Sequence, residues 1–339
     1  MNIKKTAGIF FTALAIIIVF AMAHFLCPGK LVKVVIPKGA TARQAAEALK
    51  EKNIIMSATW FRIAVKISGT GKKIMPGSYM LRTHMSSEEA LHTLITTIPM
   101  AETVDVNFPE GWRVEQVAER LQANGVISDS QDFIKLTKEH GKEGYLFPST
   151  YQFKKNISSA EAMKVFTKEF EKQIRPLFDK GFREGMDEKK VMIIASIVER
   201  EAVVDSERPM IATVYLNRLK KRMKLEADPT TQYALGYQTW YENGERKEGW
   251  WKKGITLKDL RTESPYNTYY TKTLPPGPIC SPGKGSIEAA MNPLEGFDAL
   301  YFVATADGTG RHTFNKNFRE HLGAKKVYKT NLRNEKKQN

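Results

Sequence analysis

The chain has 339 residues, 42% hydrophobic and 26% charged, the composition of an ordinary globular protein with room for two or three domains. Its net charge of +15 would suggest nucleic acid in a cytosolic protein, but the N-terminus removes that reading. With only Cys27 and Cys280, the first at the end of an apolar run, a structural disulfide is not expected.

Residues 7–26, AGIFFTALAIIIVFAMAHFL, form a run whose one strongly polar side chain is His24, long enough to span a bilayer as a helix. Lys4 and Lys5 precede it and favour a cytoplasmic N-terminus. A cleaved signal is the competing reading, since Ala21-Met22-Ala23 has the small-x-small form. Against cleavage, the run continues to Leu26 with no Gly or Pro before the site. The favoured organisation is a cytoplasmic tail (1–6), an uncleaved anchor (7–27) and an exported remainder. Outside the cytoplasm, the partners for a basic surface are anionic membranes and anionic wall polymers rather than nucleic acid. Two cationic runs, Arg218–Lys224 and Lys325–Asn339, the latter including the basic tail 329–339, read as solvated faces or frayed ends.

An internal repeat follows at an offset of 72 residues. Val34 to Phe61 matches Val106 to Phe133, with Pro37 on Pro109, Gly39 on Gly111, Leu49 on Leu121 and Phe61 on Phe133. Each copy reads as a strand, a Pro-x-Gly turn, an amphipathic helix and a second helical start. The pattern resembles a LysM-type carbohydrate-binding module; the plainer reading is a duplicated packing unit. Lys73–Leu81 reads as a turn into a strand, and a helix is expected from Ser159 to about Lys180.

Asp187 caps the next helix, in which Val191, Ile194, Ala195, Val198 and Ala202 share one face. Glu199 and Glu201 fall on opposite margins of that stripe, and Arg200 points away. A carboxylate at the edge of an apolar surface is partly desolvated, which raises its pKa toward that of a general acid; the alternative is two solvated rim residues. Ser206-Glu207-Arg208-Pro209 opens a further helix. Asp228-Pro229 starts a short one that Gly236 ends, 262–285 reads as loop, and Tyr301–Ala304 and His312–Asn315 are the closing strands.

Several reaction classes drop out. Gly277–Lys284 has the wrong spacing for a phosphate loop, the histidines lack metal-ligand spacing, and no G-x-S-x-G elbow occurs, so neither a metal nor a cofactor is expected. What remains is a series of loops dense in Asn, Thr, Tyr and Pro: ADPTTQY (227–233), SPYNTY (264–269), LPPGPICSPG (274–283) and HTFNKNF (312–318). Such loops present amides and hydroxyls from a stiff backbone, as sugar recognition requires.

In this order, with ASIVERE before them and EGYLFPSTY (143–151) upstream, these segments resemble the YceG-like family of endolytic murein transglycosylases over about residues 7–325. The resemblance implies an α+β fold: a transmembrane helix, a LysM-like α/β subdomain (30–100), a second copy and connection (101–158), a mixed α+β catalytic domain (159–328) and the basic tail. It implies single-pass anchoring in the inner membrane with the catalytic domain periplasmic, and peptidoglycan glycan strands as substrate, with peptidoglycan synthases as partners. The bond cleaved would be the β-1,4 link from N-acetylmuramic acid to N-acetylglucosamine, leaving 1,6-anhydro ends and terminating nascent strands. It places the catalytic acid at Glu199, the first glutamate of the motif, which periodicity alone does not separate from Glu201. Tyr145, Asn267, Tyr269 and Asn315 are candidates for positioning sugar. The segment 237–251, YQTWYENGERKEGWW, departs from the family pattern and reads either as an added glycan subsite or as an aromatic clamp. A lysozyme-like muramidase and a non-catalytic peptidoglycan-binding scaffold are the rival functions.

Overall fold

The computed structural model describes residues 29–100, 102–242 and 244–338. The tail and anchor expected at 1–27 lie outside them. No helix among the described residues is long and apolar enough to cross a membrane. The chain forms two compact units that divide after Thr103.

In the first unit, β1 (Leu31–Ile36) alternates so that Val34 and Ile36 face inward. The turn after it places Gly39 at φ +77°, a left-handed conformation that a Cβ would strain. Helix α1 (Ala42–Glu51) opens with a reciprocal cap between Thr41 and Gln44 and buries Ala45, Ala46 and Leu49. Helix α2 (Ala58–Ser68) starts at Ser57 and stops at Gly69. Strand β2 (Gly77–Arg82) pairs antiparallel with β1, from Leu31 opposite Arg82 to Ile36 opposite Gly77. Helix α3 (Ser87–Thr96), capped by Ser86, completes a core around Phe61, Tyr79, Leu81 and Leu94.

The second unit begins by repeating all five elements. These are β3 (Thr103–Phe108), α4 (Val114–Ala123), α5 (Ser130–Glu139), β4 (Ser149–Lys154) and α6 (Ser159–Phe178). Every start is displaced by 72 residues, so the duplication is longer than the sequence match at 34–61. Details repeat with it. Tyr79 donates its hydroxyl to the Met75 carbonyl at 2.7 Å, and Tyr151 does the same to Phe147 at 2.6 Å. His84 and Asn156 both take positive φ, and their N–H groups bond the carbonyls of Asn53 and Gly125. Sequence comparison missed this half because few identities survive there, among them Pro76 with Pro148 and Tyr79 with Tyr151.

One element differs. Helix α6 has 20 residues where α3 has 10. Its first half puts Ala162 and Phe166 into the core of the second copy; its second half puts Phe170, Ile174 and Phe178 into the next core. One rigid helix therefore joins residues 104–158 to the rest of the second unit, with no linker between them.

The second core is built round α7 (Glu188–Glu201). Asp187 caps it through the Lys190 N–H at 2.8 Å. The expected single stripe is an underestimate, because Val191 through Val198 are all buried. Around it pack α8 (Arg208–Lys220), α9 (Asp228–Leu235) and α10 (Lys284–Met291). The loop 274–283 is stitched to α7: the Ser196 hydroxyl accepts the Ile279 N–H at 3.0 Å, and the Cys280 thiol donates to the Ser196 carbonyl. The segment 237–251 is a hairpin, β5 (Gln238–Glu242) and β6 (Glu245–Gly249). Strands β7 (Tyr301–Ala304) and β8 (His312–Asn315) pair antiparallel where the sequence places them. Helix α11 runs from Phe318 to Gln338 and takes in the described part of the basic tail.

Candidate active site

Glu199 and Glu201 leave the last turn of α7 in different directions and meet different chemistry. Oε2 of Glu199 accepts the Ser286 hydroxyl at 2.7 Å and the Gly283 N–H at 3.1 Å. Its Oε1 lies 3.9 Å from Nη2 of Arg208, which is equally far from Oε2 of Glu110. Glu110 belongs to the Pro-x-Gly turn of the second copy. There Gly111 donates to the Ser281 carbonyl and Ser281 donates back to Trp112. Burial, and then the neighbouring charge of Glu199, raise the pKa of Glu110. Glu199 thus ties α7 to the start of α10 and to the second copy, with its side chain 8% exposed.

Glu201 faces a cavity of about 570 Å³. The cavity is lined by Tyr215 and Arg218 of α8, Asp228 of α9, Tyr269, His312 of β8, and His321 and Lys325 of α11, among others. Oε1 of Glu201 accepts the Tyr215 hydroxyl at 2.9 Å. The carboxyl is enclosed by protein except toward this cavity, and burial pushes its pKa up to about 7 against the lowering effect of that hydrogen bond. Tyr269 donates its hydroxyl to Oδ1 of Asp228 at 2.8 Å. The Arg218 guanidinium is held by the carbonyls of Leu300 and Leu225 and by Glu226. Arg218 is therefore buried, not part of the solvated face expected for its cationic run. Three of the polar loop segments, through Asp228, Tyr269 and His312, converge here.

The sequence-derived candidates thus separate. Tyr269 lines the Glu201 cavity. Tyr145 does not: it packs on Phe170 with ring centroids 5.0 Å apart and faces another cavity, with Glu143, Arg113 and Tyr233. Burial pushes its pKa up to about 12. Asn267 is fully buried, accepting from Thr231 and the Tyr269 N–H and donating to the carbonyls of Leu260 and Thr262. It holds the SPYNTY loop from inside. Asn315 donates to the Thr313 carbonyl at 3.3 Å and is not among the residues lining the Glu201 cavity. Trp251 and Trp250 donate their indole N–H groups to Gln116 and Glu119 of α4, and the Arg200 guanidinium stacks over Trp251 at 4.1 Å. The two tryptophans that follow the hairpin therefore link the second copy to α7. Tyr215, Arg218, Asp228 and His312 of this cavity are not site candidates from sequence; Asp228 and His312 are singled out there only as a helix opener and a strand start. Among the described residues, no group of three or more His, Cys, Asp or Glu side chains could hold a metal ion.

The mixed α+β architecture with this ordered set of loops defines one family. Its model, the YceG-like family, matches residues 34–327, and the chain belongs to it. Over 322 residues the chain is 31% identical to an endolytic murein transglycosylase of Bacillus subtilis, covering 88% of this chain and 84% of that one. A protein of the same name from Streptococcus pneumoniae is 26% identical, with 87% of this chain and 59% of the relative aligned. Among solved structures, a putative yceG-like protein of Listeria monocytogenes superposes with a TM-score of 0.52 at 30% identity, covering 86% of this chain and 98% of the other.

Proposed function

We propose that this protein is an endolytic peptidoglycan lytic transglycosylase, and that Glu201 is its acid. The names of the relatives support the activity. The observation that carries the site is the Glu201 carboxyl, buried, with its pKa near 7, opening on a polar cavity built from three of the recurring loop segments. At neutral pH such a group keeps a proton to give, which a general acid needs. Glu199, the position to which the family resemblance points, is the second reading. It is favoured by its shared contact with Arg208 and Glu110, but its carboxylate is held by Ser286 and Gly283 as a structural tie.

The substrate reading is the β-1,4 bond between N-acetylmuramic acid and N-acetylglucosamine. Glu201 protonates the leaving oxygen, and the muramyl C6 hydroxyl closes on the anomeric carbon to give a 1,6-anhydro end. One carboxyl suffices for that route, whereas hydrolysis uses a second one to activate water. Asp228, in the same cavity, is the candidate for that role in a muramidase, although one of its oxygens accepts the Tyr269 hydroxyl. The first unit, two strands and two helices closed by helix α3, is read as the LysM-like part that holds glycan. Residues 7–27 would anchor the chain in the inner membrane with the rest periplasmic, beside the synthases whose strands it ends. Mass spectrometry of strands digested in ¹⁸O-water tests the reaction. Transglycosylation leaves ends one water lighter with no label, and labelled reducing ends would refute it.

A further inference from the structure

The cavity that holds Glu201 contains a second proton carrier, fixed from behind. His312 opens β8 and lines the cavity. Its Nδ1 lies 2.7 Å from Oε2 of Glu207, and its backbone N–H donates to Oε1 of the same carboxylate at 3.1 Å. Both Glu207 oxygens therefore hold one residue, and the two side chains are 8% and 9% exposed. Facing a carboxylate that accepts, Nδ1 is the donor, and in the neutral tautomer so selected Nε2 is the acceptor. Phe302 meets the ring edge-on at 5.3 Å and limits its rotation. The pair ties the start of β8 to the start of α8, and it also holds the imidazole in one orientation at the wall of the cavity, as a general base requires.

We propose that His312 is the base of the ring-closing step, taking the proton of the C6 hydroxyl on Nε2, with Glu207 as its positioning residue. This rests on the reading of Glu201 as the acid. The bond from the anomeric carbon to the leaving oxygen breaks as Glu201 gives that oxygen its proton. The C6 oxygen bonds to the anomeric carbon and its proton passes to Nε2. The imidazolium, paired with Glu207, then returns a proton through solvent to the Glu201 carboxylate, and the cycle closes without gain or loss. A separate base allows both transfers to accompany bond making and breaking, so that Glu201 need not empty before it can accept. The Tyr215 hydroxyl favours this division, because donating to Oε1 makes the Glu201 carboxylate a weaker base. The other charged or titratable groups facing the cavity are Arg218, Glu226, Asp228, Tyr269, Tyr301, His321, Lys325 and Tyr328.

Turnover of the full-length chain in detergent on purified glycan strands, followed from about pH 5 to 9, is the test. Wild type should lose activity at both ends, on the acid side as the imidazole takes a proton and on the alkaline side as Glu201 loses one. His312→Gln should lower kcat by roughly 10²–10⁴-fold with little change in KM, and should abolish the acid limb. Glu207→Gln keeps the ring but removes the counter-charge, so its acid limb should move to lower pH. A folded His312→Gln variant that keeps the acid limb, or whose loss lies wholly in KM, would overturn the proposal. Should that variant not fold, an unmoved acid limb in Glu207→Gln would overturn it equally. Full turnover by Glu201→Gln would instead refute the reading beneath it, whatever His312 does.

Discussion

Glu201→Gln should make the protein more stable, and only above a defined pH. The folded state raises the Glu201 pKa from 4.5 to about 7. The native protein thus holds this proton more tightly than the unfolded chain. Below about pH 4.5 the group is neutral in both states and has no pH-linked cost; between about 4.5 and 7 stability falls as pH rises; above 7 the loss is constant. At about 1.4 kcal/mol per unit the full shift corresponds to roughly 3 kcal/mol. Because the carboxyl opens on a solvent-reachable cavity, the expected gain on substitution is about 1–3 kcal/mol. Glutamine keeps the geometry, since its carbonyl oxygen still accepts the Tyr215 hydroxyl. Glu143, whose pKa burial also pushes up to about 7, adds a similar slope but is common to both proteins and cancels in the difference. Thermal unfolding of wild type and Glu201→Gln in detergent, at about pH 4.5 and pH 8, reads it directly. The variant should melt higher at pH 8 and match wild type at pH 4.5. A variant no more stable at pH 8, or a gain independent of pH, would show that the buried carboxyl is not as described.

Three further outcomes follow from the packing. Phe166→Ala, at a fully buried ring whose centroid lies 4.9 Å from that of Phe108, should cost about 3–5 kcal/mol in denaturant unfolding. For the same reason a fragment starting at Ser159 should not fold, as judged by amide dispersion, since it leaves half of α6 without its core. Gly283→Ala would set a Cβ 2.0 Å from Oε1 of Glu110; that half-exposed carboxyl can swing aside, so less than about 1 kcal/mol should be lost in thermal unfolding, and Glu110→Ala should remove what loss there is.

Much of the fold is legible in the sequence where one strong local signal governs it. The strands at 301–304 and 312–315 and the short helix that begins with Asp228-Pro229 stand where the sequence places them, although Ala227 and not Asp228 is the helix cap. The repeat is legible only where identities survive; its second half is fixed by a tyrosine hydroxyl bond and positive-φ turns that several residue types satisfy. Glu199 and Glu201 show where sequence reading stops. Helical period puts them on opposite sides of α7 but does not say which side is packed solid and which opens on a cavity. That depends on Asp228, Tyr269 and His312, which arrive from distant segments. Asn267 illustrates the converse: a polar residue in a sugar-like loop whose donors and acceptors are all engaged within the protein.

The account rests on Glu201 as the proton donor. Its most direct test is initial turnover on purified glycan strands by Glu201→Gln and Glu199→Gln, side by side at neutral pH, with folding checked by thermal melts. Loss of general acid assistance costs roughly 10²–10⁴-fold, so Glu201→Gln should fall at least that far. Glu199→Gln, which can still accept from Ser286 and Gly283, should stay within about tenfold of wild type. An active Glu201→Gln beside an inactive, folded Glu199→Gln would contradict the account and move the chemistry to the Glu199 side of α7.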